Sequence, residues 1–189
     1  MFCRTGAAFA AIVFFFLLLG GCNRSTQRGV ERLAIAPIEN LSDDAALNWM
    51  GSAISEAVAS QIEGSSTLQP VALASPEATG VLRGYFTVAG GRITLKAKRE
   101  NLKSRRIVKT FTIQGDILRV ADTLARDLDP QAKPYETKNP EALKALIEGL
   151  VKGDAAALDR AIALDPGYGE PYLALARLRL ARGDRAGFQ

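Results

Sequence analysis

Residues 81–99 read Val-Leu-Arg-Gly-Tyr-Phe-Thr-Val-Ala-Gly-Gly-Arg-Ile-Thr-Leu-Lys-Ala-Lys-Arg. Val81 to Val88 is rich in β-branched and aromatic residues and runs into Gly90-Gly91. Two adjacent glycines reach the positive φ values that a two-residue hairpin turn requires. Beyond them the side chains alternate. Ile93, Leu95 and Ala97 point one way, and Thr94, Lys96 and Lys98 the other. That is the pattern of an antiparallel strand with one face packed and one face wet.

Working outward from this hairpin, Arg106 to Ile113 supplies a third strand. Asp116 then opens a helix with Ile117, Val120, Ala121, Leu124 and Leu128 along one side. Upstream, Leu33 to Ile38 is a short apolar strand ended near Pro37. Ser42 stands as an N-cap, with Asp43 and Asp44 in a first helical turn. Leu47, Met50, Ile54, Val58 and Ile62 follow at helical spacing, and Gly64 closes the helix. Leu68 to Leu73 is another candidate strand. The expected order is β-α-β-β-β-β-α, a small mixed sheet of the α+β or α/β class with two packing helices. Residues 129–139 are proline-rich and read as a linker. Asn139-Pro140 starts a helix reaching about Val151. Gly153-Asp154 breaks the chain, and short helices follow over Ala155 to Leu164 and Glu170 to Arg182.

The amino terminus has a different composition. Arg4 precedes an unbroken apolar stretch, Ala7 to Leu19, and then Leu19-Gly20-Gly21-Cys22. As a helix the stretch covers about 20 Å, short of the ~30 Å hydrocarbon core. It suits a cleavable signal peptide, residues 1–21, better than a spanning helix. An uncleaved anchor and an ordinary signal peptide are the alternatives. Residues 22–32 are polar and basic, as in a flexible tether.

Composition narrows the chemistry. The chain of 189 residues has no histidine, which excludes Ser-His-Asp and Cys-His catalysis and histidine-ligated zinc. Its cysteines, Cys3 and Cys22, leave no thiol in the body, so no disulfide is needed. Asp43 and Asp44 read as capping residues rather than paired catalytic carboxylates. No phosphate-binding loop or cofactor motif is present. The net charge of +4 is mild and does not argue for nucleic acid. The notable surface is a basic set: Lys96, Lys98, Arg99, Lys103, Arg105, Arg106 and Lys109. It is suited to an anionic partner such as lipid phosphates or an acidic protein, or else to a solvated face guarded by lysines.

Three resemblances follow from these residues. Leu19-Gly20-Gly21-Cys22 resembles the bacterial lipobox, which implies a lipid on Cys22 and a membrane partner. Asn23 after the cysteine, rather than Asp, implies the outer membrane by analogy with lipoprotein sorting. Residues 33–128 resemble the TolB-like amino-terminal domain, whose layout also occurs in CsgG-like and FlgO-like proteins. The matching segments are Leu33 to Asp43, Val81-Leu82-Arg83-Gly84, Gly90 to Leu95 and Asp116-Ile117-Leu118. Residues 140–189 resemble a partial tetratricopeptide repeat through Leu158, Ala161 and Pro166, then Tyr172, Leu175, Ala176 and Gly183. This resemblance implies that Tyr172 and Leu175 fill the helix seam and that Ala176 permits close approach. Arg179 departs from it at a usually aromatic position.

Together these readings imply a non-enzymatic, lipid-anchored protein of the cell envelope, without cofactor or metal. Its expected role is to bind or assemble an unidentified envelope protein. The alternative is a lipoprotein that binds a small ligand or cell-wall glycan.

Overall fold

The computed structural model describes residues 29–183; the expected signal peptide and Cys22 lie outside them. Six strands form one mixed sheet: β1 (Glu31–Ile35), β2 (Glu39–Asn40), β3 (Leu68–Val71), β4 (Gly80–Ala89), β5 (Arg92–Asn101) and β6 (Arg106–Gly115). The order is β3-β1-β4-β5-β6, with β2 pairing beside β4. The β1–β3, β1–β4 and β2–β4 pairings are parallel, and β4–β5–β6 is an antiparallel meander. Gly90 and Gly91 make the hairpin turn at φ +57° and +73°, as the sequence requires.

Five helices follow the strands' logic: α1 (Trp49–Ile62), α2 (Ile117–Leu128), α3 (Pro140–Lys152), α4 (Ala155–Leu164) and α5 (Gly169–Ala181). The α2 helix buries Ile117, Val120, Ala121, Leu124, Ala125 and Leu128, and the Asp116 carboxylate caps it by accepting from the Arg119 amide at 2.9 Å. Asn139 caps α3 in the same way, with Pro140 at its start and Gly153 ending it at φ +62°. α1 and α2 pack on one face of the sheet, where Ile54, Val58, Val120 and Leu124 meet Leu82, Phe86, Leu95 and Phe111. α3 packs on α1, with α4 and α5 beyond it. The apolar core runs without a break from Leu33 through Leu143, Leu146 and Leu158 to Tyr168 and Leu175.

Three local expectations are corrected. The first strand stops at Ile35, before Pro37, and pairing resumes as β2; the ring at Pro37 cannot donate to a ladder. Ser42 caps no helix. Its hydroxyl accepts from the Val88 amide at 3.0 Å and ties the chain to β4. Asp44 instead caps a 3₁₀ turn at Ala45–Leu47, and α1 begins only at Trp49. Asn40 holds this turn together, donating to the Asp44 carbonyl at 2.9 Å and to Asn48 Oδ1 at 2.8 Å. Finally, β3 ends at Val71, and Leu73 beyond it is exposed. Residues 129–139 form no helix or strand, yet Tyr135 and Thr137 within them are buried.

Candidate functional site

The helices cover one face of the meander and leave the other open. The two-residue turn sets the β4–β5 register from Ala89↔Arg92, which brings Arg83 opposite Lys98 and Tyr85 opposite Lys96. Across β5, Lys98 faces Thr110 and Lys96 faces Thr112. These six side chains share the outer face, because alternate residues of a strand point the same way. Ala36 and Pro37, between β1 and β2, and Glu39, which begins β2, wall one side. The result is a groove of about 470 Å³.

Its electrostatics are positive. Arg83, Lys96 and Lys98 line it against a single carboxylate, Glu39. Just beyond the groove, Lys98 Nζ lies 2.6 Å from Glu100 Oε1. The hydrogen bond from Lys98 and the charge of Arg83 hold the Glu100 carboxyl below the usual range. Tyr85 is 37% exposed and presents its ring to the groove.

The seven basic residues expected on one surface are divided by the structure. Lys96 and Lys98 lie on the open face. Arg99 lies on the helix face, its guanidinium bound to the Glu31 carboxylate, with Nε donating to Oε1 at 2.9 Å. Lys109 also turns to the helix side. Its ammonium donates to the Asp127 carbonyl at 2.6 Å and lies 5.1 Å from the centre of the Phe111 ring. Lys103 and Arg105 sit in the β5–β6 turn, and Arg106 begins β6. The reason is strand alternation: Arg99 follows Ile93, Leu95 and Ala97 on the helix face, and its partner Lys109 shares that face. Arg83 was not singled out as a contact residue, and by its residue type Tyr85 reads as core or rim rather than as part of a site. Their signal was the turn itself, since a two-residue loop dictates which β4 residues face Lys96 and Lys98.

The repeat-signature residues are also divided. Leu158, Ala161 and Leu175 are buried, Ala176 is half-buried, and Pro166 is exposed. Gly183 follows α5 at φ +73°. Tyr172 does not fill the seam; it is 46% exposed and its hydroxyl donates to the Pro166 carbonyl at 3.2 Å. α5 buries Pro171, Ala174 and Leu175, and Tyr172 falls about 100° around the helix from Pro171. The buried tyrosine is Tyr168, just before α5. Its hydroxyl bonds that of Tyr135, with ring centroids 5.8 Å apart. Close helix approach occurs at Gly149, where a Cβ would lie 2.5 Å from Leu158.

Among the described residues there is no cluster of side chains able to hold a metal ion. Nor is any described helix long and apolar enough to cross a membrane. The fold and groove thus define a mixed α/β body with helices on one sheet face and an open, basic groove on the other. No protein-family model and no curated protein matches the sequence. Solved structures with some likeness include the PelC dodecamer from Paraburkholderia phytofirmans. That match has 18% identity and a TM-score of 0.38, covering 56% of this chain and 91% of that one. TolB from Acinetobacter baumannii matches at 9% identity and a TM-score of 0.38, over 55% of this chain and 29% of its own. The lipoprotein GNA1162 from Neisseria meningitidis matches at 12% identity and a TM-score of 0.36, over 65% and 94%. These likenesses assign the chain to no family.

Proposed function

We propose that this chain is a bacterial envelope lipoprotein, held to a membrane by lipid on Cys22, whose body is a protein-interaction module. The observation that carries the reading is the leader, an apolar stretch ending in Leu19-Gly20-Gly21-Cys22. Two acyl chains on one cysteine are enough for stable anchoring. Asn23 favours the outer membrane. The uncovered basic face of the sheet is the primary contact surface, and the outer side of α5, with Leu173 and Leu180 exposed, is the second. The absence of histidine supports a binding rather than a catalytic role. The groove of about 470 Å³ also favours a second reading, a lipoprotein that binds a small ligand or glycan.

The test is metabolic labelling with an alkyne fatty acid. The wild type should carry the label in the membrane fraction, and Cys22→Ala should carry none and retain its leader. Equal labelling of both, or recovery of the unlabelled wild type in cytosol, refutes the anchor.

A further inference from the structure

Arg83 and Lys98 are direct cross-strand neighbours on the open face. Side chains so placed have Cβ atoms about 5 Å apart, and like charges there destabilise a sheet. Lys96 stands next along the same face, opposite Tyr85. Glu100 serves both Lys98 and Arg83, which leaves the groove with an excess of positive charge. Three cations set against the rim carboxylate Glu39 favour an anionic occupant. An anionic occupant turns their repulsion into attraction.

Building on the proposed envelope role, we infer that the groove binds an extended acidic segment of a protein partner, with carboxylates over Lys96, Lys98 and Arg83. The spacing favours a polypeptide. Lys96 and Lys98 are two residues apart on one strand, so they repeat at about 6.7 Å. Acidic residues at positions i and i+2 of an extended peptide repeat at the same distance. Pro37 and the Tyr85 ring offer an apolar surface beside the cations. Glu39 on the rim repels acid there and directs the partner's carboxylates toward β5. A flat bilayer surface is the weaker match, because the Ala36–Glu39 wall stands beside the cations. The exposed turn at Lys103 and Arg105, with Arg106 at the start of β6, is the part of the basic set that a membrane would meet first.

The experiment uses the full acylated chain in nonionic detergent and a fluorescent peptide of repeating Glu-Val, read by anisotropy. Saturable binding is expected, weakening as salt rises. K96Q/K98Q should lower the affinity by about tenfold, the loss expected for two solvent-exposed ion pairs. Arg83→Gln should act in the same direction. K103Q/R105Q/R106Q, which alters the turn and the first residue of β6 outside the groove, should bind like the wild type. Several results overturn the inference: equal binding of a Lys-Val peptide, unchanged binding by K96Q/K98Q, or tighter competition by polygalacturonate or phosphatidylglycerol vesicles. Cys22 labelling is read on the same preparation. Peptide binding without label removes the envelope reading and keeps this one; label without peptide binding does the reverse.

Discussion

Tyr135 and Tyr168 are 3% and 0% exposed, and their hydroxyls bond each other. No other hydroxyl partner is present for either among the described residues. The pair joins residues 129–139 to the α4–α5 junction, so it reports on how the last helices are held. Tyr168→Phe keeps the ring but leaves the Tyr135 hydroxyl buried and unpaired, at a cost of about 2 kcal/mol. Tyr135→Phe orphans Tyr168 equally. The double variant removes both desolvated groups together and should lose only about 1 kcal/mol, less than either single change. For a chain of this size each kcal/mol moves Tm by about 2–4 °C, so each single variant should melt about 4–8 °C lower. Thermal and urea melts followed by circular dichroism measure the full cycle. If the double variant loses the sum of the two singles, the hydroxyls act independently and the reasoning fails.

Two further outcomes follow from particular contacts. A Cβ on buried Gly51 of α1 would lie 1.9 Å from the Ile38 carbonyl oxygen, a backbone atom that cannot swing aside. Gly51→Ala should therefore destabilise by about 2 kcal/mol despite the better helix propensity of alanine, and an unchanged urea midpoint would refute the close approach. Glu56, on α1 facing Glu170 and Arg177 of α5, has its carboxyl pushed above the usual range by burial, then by the charge of Glu170. A raised folded value means stability that is present below the unfolded value and lost as pH rises through the folded one. Glu56→Gln should thus melt higher than the wild type at neutral pH, with the gap closing below about pH 4.5; a constant gap across pH would contradict this assignment.

Much of the secondary structure was legible in the chain because it depends on local chemistry. The Gly90-Gly91 turn, the alternation of Ile93, Leu95 and Ala97, the Asp116 and Asn139 caps and the α2 face each follow from neighbouring residues. The start of α1 was not legible. Ser42 has the chemistry of an N-cap, but β2 pairs with β4 and draws the Ser42 hydroxyl to the Val88 amide. Tyr172 was misplaced for a related reason. Its resemblance to a repeat position says nothing about where α5 starts, and Tyr168 proved to be on the buried side.

The candidate site divides in the same way. The apolar stretch Ala7 to Leu19 before Cys22, the absence of histidine and the abundance of basic residues between 96 and 109 are properties of the linear chain, and no fold alters them. Which cations stand together is a tertiary matter. Register brought Arg83 and Tyr85 to Lys96 and Lys98, and strand alternation turned Arg99 to Glu31 and Lys109 to Asp127. Charge is carried by composition, but the sign of a surface depends on which side of a sheet each residue faces, and only strand pairing decides that.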